Sequence, residues 1–210
     1  MKTPLFIFIL LLLPGVLPAQ TKEKKHQFSV YAGYANMIGG TAGLTKSTSS
    51  YENKLCSGFS WDAQYNYWAH KQIGIGVLYS GYSADGTHAQ GSDHIYTHYI
   101  APKLTVRVYQ AGQFNLSFNG GAGYLFYLND SRVFGKERRA TGGHFGAHIG
   151  GTAEYKLGER WALSLETAFI YTKLSKINTL YHGENTSVHF SDNRLNVSRL
   201  NISAGLNFYF

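Results

Sequence analysis

Along most of the chain, apolar and polar residues alternate with period two, the pattern of a strand with one apolar and one polar face. Phe59, Trp61, Ala63, Tyr65 and Tyr67 alternate with Ser60, Asp62, Gln64 and Asn66, and Ile73, Ile75, Val77 and Tyr79 alternate with Gly74, Gly76 and Ser80. Ile100, Pro102, Leu104, Val106 and Val108 oppose Tyr99, Ala101, Lys103, Thr105 and Arg107. Phe114, Leu116, Phe118, Ala122, Tyr124 and Phe126 oppose Asn115, Ser117, Asn119, Gly121 and Gly123. Phe145, Ala147, Ile149, Ala153 and Tyr155 face away from His144, Gly146, His148, Gly150, Thr152 and Glu154, as Leu163, Leu165, Thr167, Phe169 and Tyr171 do from Ser164, Glu166 and Ala168. Leu200, Ile202, Ala204, Leu206, Phe208 and Phe210 close the series against Arg199, Asn201, Ser203, Gly205, Asn207 and Tyr209; with Phe28, Val30, Ala32 and Tyr34 at the start, eight strands are expected. No helix-period stretch, linker or low-complexity tract interrupts them, which predicts one all-β domain.

The connections alternate in length. Short turns fall near Ala69–Gln72, Tyr109–Gln113 and Leu157–Arg160, and long polar segments occupy Ile38–Leu55, Ala84–His94, Asn129–Gly143 and Thr172–Arg194. An even number of antiparallel strands with short turns at one end and long loops at the other predicts an eight-stranded, up-and-down transmembrane β-barrel. Closure follows from physics, since an open sheet edge in lipid would leave a row of backbone groups unpaired. Pro102 lacks a backbone donor and is expected to mark a bulge or a locally unpaired position. Glycines on the polar faces make room for larger side chains in a narrow interior.

Composition narrows the setting. In 210 residues there are 16 Tyr, 13 Phe and 3 Trp, while the mean hydropathy of -0.20 is too low for a helical membrane protein. Behind Met1 and Lys2, the apolar run Leu5–Leu13 is too short to span a bilayer and is followed by Pro14, Gly15 and Ala19. This order predicts a cleavable signal peptide over 1–19, cut between Ala19 and Gln20. A short basic periplasmic N-terminus over 20–27 and a barrel domain over 28–210 would follow. Cys56 is the one cysteine, so neither an internal disulfide nor a lipid anchor at the cleavage site is available. The formal net charge of +7 suits a solvated tail and loops beside an anionic membrane surface. Nucleic acid is not an expected partner of an exported protein.

A soluble lipocalin-like barrel or a β-sandwich would share the alternation with the apolar face inside. The signal peptide, the loop asymmetry, aromatics toward the strand ends and the terminal Phe210 favour the membrane barrel. Tyr99-Ile100-Ala101-Pro102-Lys103-Leu104 resembles the Tyr-x-x-Pro-x-Leu strand of the small outer-membrane β-barrel (porin-like) family of Gram-negative bacteria. Tyr155-Lys156-Leu157-Gly158-Glu159-Arg160-Trp161 resembles its late periplasmic turn. The ending Leu206-Asn207-Phe208-Tyr209-Phe210 resembles the terminal signal that such barrels present to the assembly machinery, with Phe208 and Phe210 as its aromatic positions. The resemblance implies the cell outer membrane as location, and outer-membrane lipids, lipopolysaccharide and the barrel-assembly machinery as partners; it specifies no activity.

Asp62, Lys103, Arg107, Glu154, Lys156, Glu166 and Arg199 lie on the polar face, away from the loops. With that face inward they are expected to form a salt-bridged interior network, because isolated buried charges are costly. His144 and His148, like His94 and His98, are spaced i and i+4, about 13 Å apart on a strand and too far to share a metal. No metal or cofactor is expected. His189-Phe190-Ser191-Asp192-Asn193 vaguely resembles the His-x-Ser-Asn stretch of lipid A deacylases. Asp192 separates the serine from Asn193, however, and no carboxylate follows on the last strand to complete a nucleophilic site. The segments Ser47–Tyr51, Asp85–Asp93, Asp130–Arg139 and Tyr181–Asn193 suit surface contacts. Arg132, Lys136, Arg138 and Arg139 form the one clear basic cluster; ordinary loop solvation is expected of it, with binding to lipopolysaccharide phosphates as the alternative. The expectation is a non-enzymatic barrel with a packed polar interior and a structural or interaction role at the cell surface. A narrow channel or accessory barrel of a transport complex is the alternative, and a lipid hydrolase a more distant one.

Overall fold

A computed structural model describes residues 24–38, 54–88, 91–181, 183–190 and 195–210. The expected signal peptide and the Ser191–Asn193 stretch lie outside the described residues. Among the described residues there are eleven strands: β1 (His26–Met37), β2 (Ser57–Trp68), β3 (Ile73–His88), β4 (Gly91–Ala111), β5 (Phe114–Val133), β6 (Lys136–Lys156), β7 (Trp161–Leu174), β8 (Lys176–Tyr181), β9 (Glu184–His189), β10 (Leu195–Asn196) and β11 (Arg199–Tyr209). Eight of them form a ring in which β1 to β7 pair in succession, β7 pairs with β11, and β11 closes onto β1 from Gln27↔Tyr209 to Met37↔Arg199. Every pairing is antiparallel, so the ring has the up-and-down meander expected for eight strands.

Alternation decides which face is outside. On β7, Leu165 is 65% exposed and its neighbour Glu166 only 2%, the inverse of a soluble fold. Outward-facing Ile73, Ile75, Val77, Ile100, Leu104, Val106, Leu163 and Ile202 form the same apolar surface around the ring. Aromatic contacts edge this surface. Trp161 meets Phe208 at 4.7 Å and Phe210 stacks on His26 at 5.4 Å at the short-turn end; Tyr124 meets Phe126 at 4.9 Å and Phe145 at 5.3 Å toward the other. Aromatic rings flanking an apolar band are what a barrel in a bilayer presents to the two interfaces.

Pro102 faces outward, paired with Val77 on β3. On its other side the β4–β5 ladder stops at Ile100↔Tyr124 and resumes at Leu104↔Gly120. The missing donor of Pro102 points at β5, which accounts for the gap, and Gly121 lets the Pro102 carbonyl approach to 2.1 Å from where a Cβ would stand. A register shift follows between Arg107 and Tyr109.

The long polar segments require correction, because three of the four expected loops are largely strand. β3 and β4 stay paired as far as His88↔Gly91, and β5 and β6 as far as Val133↔Lys136. The β5–β6 turn is a two-residue turn, Phe134 (φ 50) and Gly135 (φ 78), both left-handed as tight hairpins require. Thr172–Arg194 contains the hairpin of β8 and β9, which extends the sheet beyond β6. Their Asp, Gly, Ser and Asn residues suggest loops, but cross-strand partners hold them in a sheet that continues above the apolar band.

Candidate functional site

The inward side chains fill the ring in layers. At the short-turn end, Glu154 is the hub. Its carboxylate accepts from Asn115 Nδ2 at 2.7 Å, from the Tyr209 hydroxyl at 2.6 Å, from Gln27 Nε2 at 3.5 Å, and from Asn207 Nδ2. Trp68 turns its ring across this mouth, donating from Nε1 to Gln27 Oε1 at 2.9 Å, with the Arg107 guanidinium 4.1 Å from the ring centroid. The Lys156 ammonium lies 5.9 Å from the centroid of the Tyr209 ring. Gln27, Trp68, Arg107, Asn115, Glu154 and Tyr209 line a void of about 20 Å³ that reaches the next layer at Gln64 and Lys103, room for about one water.

One layer inward, Lys103 Nζ donates to Gln64 Oε1, and Gln64 Nε2 donates to both Glu166 oxygens at 2.9 and 2.7 Å. Ser203 donates to Asp62 at 3.5 Å. Arg199, fully buried, donates to Thr97 Oγ1 and to the Ser80 carbonyl and hydroxyl at 3.1 and 2.8 Å. The expected salt bridges are corrected here. The interior charges share neutral amides and hydroxyls, and among the described residues none of the seven makes an ion pair within 4.0 Å. Opposite charges still lie in one polar layer, bridged by neutral amides and hydroxyls rather than paired directly, and the buried Arg199 Nε is left without a hydrogen-bond partner.

Toward the long-strand end the lumen changes character, correcting the expectation of a polar interior throughout. Leu78, Tyr82, Ile95, Tyr99, Leu125, Ile170, Leu174 and Ile177 are all within 2% of complete burial and belong to one apolar cluster. Of the histidines, His148 lies inside at the border of the two layers, with Nδ1 3.1 Å from the Tyr99 hydroxyl and its ring accommodated by Gly121. His144 hydrogen-bonds the Phe145 carbonyl at 2.9 Å. His98 faces outward against Tyr79 at 2.8 Å, and His94 meets Asp85 at 2.5 Å. Among the described residues no three metal-ligating groups converge.

The candidate basic cluster is also corrected. Arg139 makes a two-pronged pair with Asp130 at 2.6 and 3.0 Å, which holds its guanidinium above the ordinary arginine range, Arg132 lies 3.6 Å from Glu137, and Arg138 turns to the inner face to meet Asp93 at 3.4 Å. Three of its four cations are matched by carboxylates, two across the β5–β6 hairpin and Asp93 two strands away on β4, which leaves Lys136 at the hairpin turn. Charge reasoning alone missed Gln27, Gln64, Trp68, Asn115, Asn207 and Tyr209. All six are neutral residues at inward positions, and their parity was the available signal.

A closed antiparallel ring of eight strands, apolar outside and filled inside, defines a transmembrane β-barrel. The sequence matches the family described as outer membrane protein beta-barrel domain over residues 7–208, and the chain belongs to that family. Its place is the cell outer membrane of Gram-negative bacteria. Among solved structures it is similar to a major outer membrane protein from Thermus thermophilus, with a TM-score of 0.62 and 13% identity over 88% of this chain and 99% of that one. Neisserial surface protein A gives 0.53 and 16% over 88% and 97%. Ail, the attachment invasion locus protein of Yersinia pestis, gives 0.54 and 12% over 89% and 99%. At these identities the likeness concerns the fold. No curated protein matches the sequence.

Proposed function

We propose that the protein is a closed surface barrel that carries a β-sheet platform above the outer membrane for contact with other molecules, and that it is neither a pore nor an enzyme. The observation that carries this reading is the double filling of the lumen. The Glu154 and Lys103–Gln64–Glu166 layers occupy one half, and the apolar cluster around Leu78, Tyr99, Ile170 and Leu174 seals the other. Eight strands leave an interior only just wide enough for side chains, and the cluster fills it with buried Leu78, Tyr82, Ile95, Leu125 and Ile170. The strand extensions β3 to β6, with β8 and β9, then offer the surface on which a partner is met. Phe208 and Phe210, stacked at 5.7 Å beside Trp161, suit recognition by the assembly machinery during insertion.

The test is single-channel recording of the purified protein in a planar bilayer. A filled lumen gives no stepwise conductance in symmetric salt. Discrete, reproducible openings abolished by a bulky substitution on the lumen wall would refute the reading and favour the narrow-channel alternative.

A further inference from the structure

The step from β7 to β8 brings two lysines together on the outer face. In an uninterrupted strand, residues three apart face opposite sides. Here Leu174 and Ile177 are both buried in the luminal cluster, so Ser175 is an extra residue that resets the alternation. The ladders agree: β6 pairs Gly146 with Thr172 but Gly142 with Ile177, one residue out of step. The bulge is pinned by the Phe190 N–H donating to the Ser175 carbonyl at 2.9 Å. As a result Lys173 and Lys176 both point outward, within about 10 Å along the strand. His189, directly across from Lys176 on β9 and exposed, joins them.

This trio differs from the arginines of the neighbouring hairpin. Among the described residues, no carboxylate pairs with Lys173, Lys176 or His189. Lys173 sits with its ammonium 5.6 Å from the centroid of the Tyr171 ring, in the outward aromatic set that ends the apolar band. Beside them Gly143 carries no side chain, and the Tyr124 ring lies across it. Lysine ammonium groups with no carboxylate partner among the described residues, directly above an aromatic edge, match an amphiphile whose anionic head stands at the interface and whose chains run down the apolar wall.

The geometry points to Lys173, Lys176 and His189 as a seat for a phosphate group of an outer-leaflet glycolipid. It rests on the surface-barrel reading only in taking the long-strand end to face the outer leaflet. The two ammonium groups grip the phosphate oxygens by charge-assisted hydrogen bonds, and the imidazole donates a further one.

Native mass spectrometry of the intact protein in detergent tests this, with lipid A bearing two phosphates, monophosphoryl lipid A and enzymatically dephosphorylated lipid A as probes. Wild type retains the phosphorylated forms, and retention weakens with added salt. Lys173→Ala/Lys176→Ala weakens it by roughly tenfold or more, whereas Lys71→Ala in the β2–β3 turn at the opposite, short-turn end leaves it unchanged. Heat-shifted electrophoretic mobility confirms that each variant is folded, and Lys173→Arg/Lys176→Arg, which keeps the charge, retains binding. Equal retention by wild type and the alanine double variant, or equal retention of the dephosphorylated lipid, overturns the proposal. Conductance recordings report separately on the filled lumen, so the two readings fail independently.

Discussion

Replacing Glu154 with leucine removes the acceptor shared by Asn115 Nδ2, Asn207 Nδ2 and the Tyr209 hydroxyl. Each buried donor left unmatched costs about 1–3 kcal/mol. The carboxylate's own desolvation is recovered, and the adjoining void of about 20 Å³ admits a water to one of the orphans. A net loss of about 3 kcal/mol is therefore expected. Tyr209→Phe deletes a single hydrogen bond to a charged group, worth about 2 kcal/mol in the wild type, and nearly nothing once Glu154 is gone. The double-mutant cycle should give a coupling of about 2 kcal/mol. Urea unfolding in lipid or detergent reads it, through tryptophan fluorescence, to which Trp68 contributes from the same layer, and through heat-shifted gel mobility. Additivity of the two substitutions within about 0.5 kcal/mol would refute Glu154 as the hub of this layer.

Three further outcomes follow from the backbone. At Gly205 a Cβ would stand 2.2 Å from the Val30 carbonyl and 2.4 Å from the Tyr31 ring, so Gly205→Val should cost about 1–3 kcal/mol or more and lower the yield of heat-shifted, folded protein; Gly112→Asn, at φ 56 with nothing within 4 Å, should refold as wild type. Phe134 holds φ 50 at an exposed hairpin turn, where asparagine is better suited. Phe134→Asn should thus slow amide exchange of the flanking β5 and β6 residues, and faster exchange would show that the ring makes a stabilising contact.

The fold is most legible where the two faces of a strand meet different media. Leu163 and Leu165 against Ser164 and Glu166 give the β7 register directly, because lipid lies on one side and the polar lumen on the other. The signal fades where the lumen is itself apolar. Tyr99 with Ile100, and Leu125 with Phe126, are apolar on both faces, so their alternation carries no information about which side is in. The extensions escape notice for another reason. Asp85, Gly86, Asp130 and Ser131 are poor strand formers, held in place by partners on the neighbouring strand, as Asp130 is by Arg139. The candidate site divides in the same way. The inward placement of Asp62, Glu154, Glu166 and Arg199 follows from parity, whereas the use of Gln64 as a bridge between Lys103 and Glu166 depends on how distant strands are staggered around the ring. The reset at Ser175 has no counterpart in composition, since nothing in Lys173-Leu174-Ser175-Lys176-Ile177 marks where an extra residue is absorbed.

The filled lumen also bears on how many copies a cell can carry. An open barrel raises leakage with each molecule inserted, so its abundance must be held against the barrier that the outer membrane provides. With the lumen closed as proposed, by Trp68 and Tyr209 at one mouth and Leu174 and Ile177 toward the other, each copy would add protein area without adding a hole. Surface density is then limited by lipid area and by the supply of assembly sites, and a weak contact made by one molecule can be multiplied across many neighbours.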